Sequence, residues 1–174
     1  MTRYRAIIAG VAALAGALWM SLPRTGAEPY GASPSRLLTF AVQEFVPSSS
    51  DVGDLTRELA RLITKDLVIV DRLAPMEPSA LVAIDPNSMD SVASPPFDVW
   101  RKTRVKVLVT GHVSRWGENL KVECYVWDVA AGLLILAERD VAPAANWRQL
   151  AHMTASAISE RLTGEKRELG PGRK

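Results

Sequence analysis

The fold turns on the stretch VKVLVTGHVSRWGENLKVECYVWDVAAGLLILAERDV, residues 105–141. VKVLVTGHV (105–113) is rich in β-branched residues and reads as a strand. RWGEN (115–119) breaks it, with Gly117 free to take positive φ. LKVECYVWDV (120–129) then alternates. Leu120, Val122, Cys124 and Val126 point one way, and Lys121, Glu123, Tyr125 and Trp127 the other. AAG (130–132) turns the chain into LLILAERDV (133–141). Three strands with short turns predict an antiparallel meander.

Working toward the C-terminus, the pattern changes from period 2 to period 3.6. Trp147, Leu150, Ala151, Thr154, Ala157, Ile158 and Leu162 form one stripe of a helix over 145–162, with Gly164 as its stop. A stripe of this kind is core, so truncating Trp147 to Ala is expected to cost about 3–5 kcal/mol. Residues 165–174 read as a disordered tail.

Working toward the N-terminus, PPFDVWRKT predicts a brief helix with Pro96 near its first turn. Residues 73–96 hold five of the eleven prolines and read as a long loop, with a turn of helix at 78–82. LVIVDR (67–72) reads as a strand buried on both faces. Before it, Asp51 is placed to cap a helix running to about Lys65, with Leu55, Leu59, Leu62 and Ile63 as its stripe. RLLTFAVQEF (36–45) reads as the first buried strand. The order is β-α-β-(α)-β-β-β-α, with one domain over 36–164 behind a flexible lead-in at 28–35. A chain of 174 residues is ample for one core.

The first 27 residues stand apart. Arg3 and Arg5 precede an uncharged run from Ala6 to Leu22, and small residues follow at Gly26 and Ala27. That is the layout of a secretory signal cleaved after Ala27, with an uncleaved anchor as the alternative. Removing it leaves 18 basic and 19 acidic residues (21 − 3 against 19), a net charge of −1. The overall basic balance is thus partly a property of the signal, and nothing points to a nucleic-acid surface. The single cysteine, Cys124, can form no internal disulfide. No cysteine lies near the signal junction to carry a lipid. The expectation is a periplasmic protein.

Motifs for chemistry are missing. No serine sits in G-x-S-x-G, no lysine in G-x-x-x-x-G-K-[ST], and no strand leads into G-x-G-x-x-G. His112, His152 and Cys124 are not at metal-ligand spacing from one another. Neither histidine has a partner visible in the sequence for general-base work. Cys124 lies on the apolar side of its strand and reads as a small buried hydrophobe. No cofactor, metal or small-molecule substrate is expected. A hydrolase would need a pocket joining His112 or His152 to a carboxylate and a nucleophile. Tyr125 and Trp127 remain: either a helix covers them, or they form an aromatic contact patch.

Two stretches carry a resemblance. ANWRQLAHMTASAISERLTGEKR, with its W-R-x-x-A-H run and L-T-G-x-K ending, resembles the last helix of the N-terminal domain of the TolB family of the Tol-Pal system. The meander, with G-x-V (111–113) and then V-x-x-Y-V-W-D-V (122–129), resembles the same domain, and the resemblance covers roughly 36–168. The resemblance implies a three-layer α/β domain with a mixed five-stranded sheet and two main helices, in a topology like that of anticodon-binding domains. It implies no catalysis, and work done by protein contact in or beside the Tol-Pal envelope system. In that family the N-terminal segment contacts the C-terminal domain of TolA, and a six-bladed propeller binds the lipoprotein Pal. Here RELGPGRK stands where a strand toward the propeller is expected, so Pal binding is not expected. The candidate contact residues are Glu28, Pro29, Tyr30 and Arg36 from the lead-in, with Tyr125 and Trp127 from the sheet. The alternative is an accessory or regulatory domain of envelope assembly with no Tol partner.

Overall fold

A computed structural model describes residues 29–30, 37–48, 50–76 and 94–170. The signal segment, Glu28, Arg36, the helical turn at 78–82 and the last four residues lie outside this range. The described elements are β1 (Leu38–Val42), β2 (Val46–Pro47), α1 (Gly53–Val68), β3 (Leu73–Pro75), α2 (Phe97–Trp100), β4 (Val107–Trp116), β5 (Asn119–Asp128), β6 (Leu133–Pro143) and α3 (Trp147–Thr163).

The sheet runs β3-β1-β4-β5-β6, with β2 also on β4. β1 pairs in parallel with β3 and β4, and β4-β5-β6 is the antiparallel meander. Six strands occupy five positions, because β1 and β2 lie end to end along β4 and are one interrupted strand. Phe45 sits in the interruption and explains it. A Cβ on Gly111 would lie 2.5 Å from the Phe45 ring and 2.5 Å from the Glu123 carbonyl oxygen. Only glycine lets that ring close over β4.

Both meander turns form at the expected glycines. Trp116 faces Asn119 across a two-residue turn, and Gly117 has φ 60°. Positive φ at the first central position alone is the II′ pattern that suits hairpin twist. The β5-β6 turn is held by Asp128, whose carboxylate accepts from the Ala131 N–H at 2.9 Å, and Gly132 has φ 67°. A register shift beyond Val126 makes Ile135 an extra residue in β6, and its carbonyl accepts from Arg161 Nε at 3.0 Å.

α1 and α3 pack side by side on one face. Leu59, Ile63 and Leu67 of α1 meet Leu150, Ala151, Ala155, Ile158 and Leu162 of α3 over the inward residues of β1, β4 and β5. Gly164 ends α3 in the left-handed region with φ 78°. On the opposite face a smaller cluster forms under α2, from Ala41, Trp100, Val105, Leu108, Trp127 and Val129.

Five expectations are corrected. The run LVIVDR is not a strand: α1 continues through Val68, and the third strand starts at Leu73. A short apolar run fits either state, and here Leu67 extends the stripe of Leu59 and Ile63 while Val68 and Ile69 face solvent. Asp51 does not cap α1. It lies in a 3-10 turn, and its carboxylate pairs with Arg115 at 3.1 Å. Ala155 and Ser159, rather than Ala157, complete the buried stripe of α3. Trp147 is half-buried, with the Arg148 guanidinium 4.4 Å over its ring, so truncating it removes less than a full Trp burial. The expected tail is also packed as far as Gly170. Leu169 is 6% exposed and belongs to the main core.

Candidate interaction surface

The register of the meander lays out the second face in rows. In order along the strands these are Leu108 and Trp127; Thr110, Tyr125 and Ala137; His112, Glu123 and Arg139; Ser114, Lys121 and Val141; and Trp116, Asn119 and Pro143. Residues paired across strands share a face, so these rows all lie on the side of α2.

The face is dry at one end and wet at the other. Trp127 is 8% exposed. Its Nε1–H donates to Thr110 Oγ1 at 3.0 Å, and the Phe97 ring of α2 meets it edge-on at 5.7 Å. Arg101 sits over Phe97 at 5.9 Å and donates through Nε to the Ala130 carbonyl at 3.2 Å, fixing α2 to the β5-β6 turn. Tyr125 is half-buried beside Trp127, at 6.3 Å between ring centroids. Burial, reinforced by the Glu123 charge, raises its phenol pKa.

Beyond Tyr125 the side chains become charged. Glu123 accepts from Arg139 at 2.7 Å and from Lys121 at 3.0 Å. Burial pushes its carboxyl up, but the hydrogen bonds and charges of Lys121 and Arg139 outweigh burial and hold it below the ordinary carboxylate value. At the far end Trp116 is 66% exposed and Val141 43%. With Ser114, Arg115, Lys121 and Arg139 they line a shallow depression of about 350 Å³. An exposed indole beside basic and apolar neighbours is the composition of a protein contact, where aromatic anchors carry most of the energy.

The candidate contact residues do not form one patch. Tyr125 and Trp127 adjoin on the second face, but α2 covers Trp127. Tyr30 packs against the main core on the helix side. Its O–H donates to Asp128 Oδ2 at 2.6 Å and its N–H to the Arg161 carbonyl at 3.2 Å. Pro29 lies against Gly164, where a Cβ would come within 2.8 Å of its ring. Glu28 and Arg36 are outside the described residues. Sequence reasoning missed Trp116, although a Trp next to a turn glycine at a hairpin tip has little to bury against. It also missed Arg139 as the partner of Glu123.

The histidines are placed apart. His112 lies in the row of Glu123. His152 Nδ1 meets Asp66 Oδ2 at 2.5 Å, joining α3 to α1. Ser156, one turn further along α3, donates its hydroxyl to the His152 carbonyl at 2.8 Å, and the His152–Asp66 pair is an interhelical tie. Cys124 is fully buried, and burial, with Asp140 and Glu138 adding, pushes its thiol pKa far up. Such a thiol is a poor nucleophile. Among the described residues no group of three or more His, Cys, Asp or Glu could hold a metal ion, and no helix is long and apolar enough to cross a membrane.

A match to the family described as the TolB amino-terminal domain spans residues 33–135, more than half of the chain. Among solved structures, TolB from Acinetobacter baumannii is similar with a TM-score of 0.58 and 21% identity, covering 80% of this chain and 31% of that one. A PelC dodecamer from Paraburkholderia phytofirmans is similar with a TM-score of 0.53 and 12% identity, covering 80% of this chain and 96% of that one. At these identities the structures speak for the fold, and this chain matches less than a third of the TolB chain's length. The family match takes in β1 through the start of β6, including the Gly111 seat and most of the open face. This chain belongs to the TolB amino-terminal domain family.

Proposed function

We propose that this protein is a non-catalytic protein–protein interaction domain of the periplasm, exported by residues 1–27 and acting in or beside the Tol-Pal envelope system. The observation that carries the reading is the half-open second face in a chain of the TolB amino-terminal domain family. Its core is finished by α2 at one end, while Trp116, Val141 and the Lys121–Glu123–Arg139 cluster stand exposed or half-exposed at the other. The proposed partner is the C-terminal domain of TolA. The proposed contact residues are Tyr125, together with Trp116 and Val141. Trp127 supports the surface from beneath α2, and the lead-in residues Glu28, Pro29, Tyr30 and Arg36 give a second contact on the helix side.

Calorimetry of residues 28–174 against the TolA C-terminal domain tests this reading. Binding is expected, and Trp116→Ala should weaken it at least tenfold while leaving the fold intact. Binding by wild type that Trp116→Ala leaves unchanged would move the contact to the lead-in. No binding at all would favour an accessory envelope-assembly domain without Tol partners.

A further inference from the structure

Beyond Gly164 the chain doubles back along α3. Glu165, Lys166, Arg167 and Glu168 are exposed, and Arg167 pairs within the segment with Glu165 at 3.8 Å. The segment's hold on the domain is concentrated in the next two residues. Leu169 is 6% exposed and joins the main core, and its N–H donates to Ser156 Oγ at 2.8 Å. Gly170 lies on the imidazole of His152, where a Cβ would sit 3.4 Å from Cγ, and its φ of 156° is one that L side chains rarely adopt. His152 is one turn before Ser156 on α3 and is held in place by Asp66 of α1. The seat thus has an apolar slot for a leucine, a hydroxyl acceptor for that leucine's N–H, and, against the His152 ring, a backbone φ that favours glycine next.

We propose that residues 165–170 are a displaceable strap, and that its seat on α3 is a peptide site that accepts, in trans, an extended segment of a partner protein carrying Leu-Gly. Two features support displacement. The seat grips the Leu-Gly pair and not the four exposed residues that tether it, so covalent connection raises its local concentration without being recognised. A segment with one apolar anchor opens locally more readily than the helices beneath it. The proposal stands apart from the TolA reading, whose aromatic contact is on the opposite face of the sheet and whose lead-in contact meets Gly164 and Arg161 rather than the seat of Leu169.

The test uses a capped peptide of residues 165–170, labelled for anisotropy, against the mature chain and its Leu169→Asp variant. The peptide should bind the variant at least tenfold more tightly than wild type, because the strap no longer competes. A peptide with Leu169→Asp or Gly170→Val should not bind. In wild type, millimolar peptide should accelerate hydrogen exchange at the Leu169 amide, a readout independent of how well the variant folds. An unchanged Leu169 amide at that concentration, or equal affinity of the peptide for wild type and a folded Leu169→Asp variant, would overturn the proposal.

Discussion

On the face of α1 and α3, one dry cluster runs from Leu38 in β1 to Leu169 beyond α3. On the opposite face the dry cluster stops at the row of Thr110 and Tyr125, and the remaining rows are charged or exposed. The same three strands build both faces, so strand composition alone does not account for the difference. Cover does. α1 and α3 have 16 and 17 residues, whereas α2 has four and reaches only Leu108 and Trp127. A sheet face holds apolar side chains where something dry lies above it and charged ones where nothing does. Among the described residues the first face is covered along its length, and the second is left exposed at its far end.

Substitutions should separate these roles. The largest effect is expected on the first face. Gly111→Ala forces a methyl into the Phe45 ring and the Glu123 carbonyl, and overpacking against backbone should cost about 3 kcal/mol, read as a lower denaturant midpoint with unchanged slope. A midpoint like wild type would mean that Phe45 moves aside freely. At the covered end of the second face, Trp127→Phe removes the donor to Thr110, and should cost about 1–2 kcal/mol by the same assay.

Further along that face the effect becomes one of pH. Glu123 has a depressed folded pKa, so its contribution is fully present above the unfolded value of about 4.3 and is lost as pH falls through the lower folded value. Glu123→Gln should therefore flatten the loss of stability below about pH 4.3. Parallel acid profiles for the two proteins would show that the Lys121–Glu123–Arg139 cluster does not hold in solution. The smallest stability change belongs to the open end: Trp116→Ala should stay within about 0.5 kcal/mol of wild type. A larger loss would mean that the indole is covered.

The legible parts of the fold were those with a strong period and a glycine at the right place. β4, β5 and β6 follow from alternation with Gly117 and Gly132, and α3 follows from its stripe with Gly164. The illegible parts lacked such a discriminator. LVIVDR is apolar throughout, so only the phase of the α1 stripe shows that Leu67 belongs to the helix. Asp51 looked like a cap because its competing partner, Arg115, is 64 residues away. Asp66 was unreadable as the partner of His152 for the same reason. The contact surface was half legible. Tyr125 and Trp127 were seen to share a face, but their different burial depends on register. The two-residue turn at Gly117–Glu118 fixes that register and sets Trp127 opposite Leu108, under α2. The same pairing puts Trp116 at the uncovered end.

The two-face account rests most directly on which tryptophan feels a partner. Trp116 marks the open end of the second face, Trp127 its covered end, and Trp147 the helix side. Indole N–H resonances of nitrogen-15-labelled residues 28–174, followed while the TolA C-terminal domain is added, report all three at once. The account predicts that the Trp116 indole shifts or broadens first while those of Trp127 and Trp147 hold their positions. A shift at Trp147 with Trp116 unmoved would place the contact on the α1/α3 side and contradict the assignment of the open face.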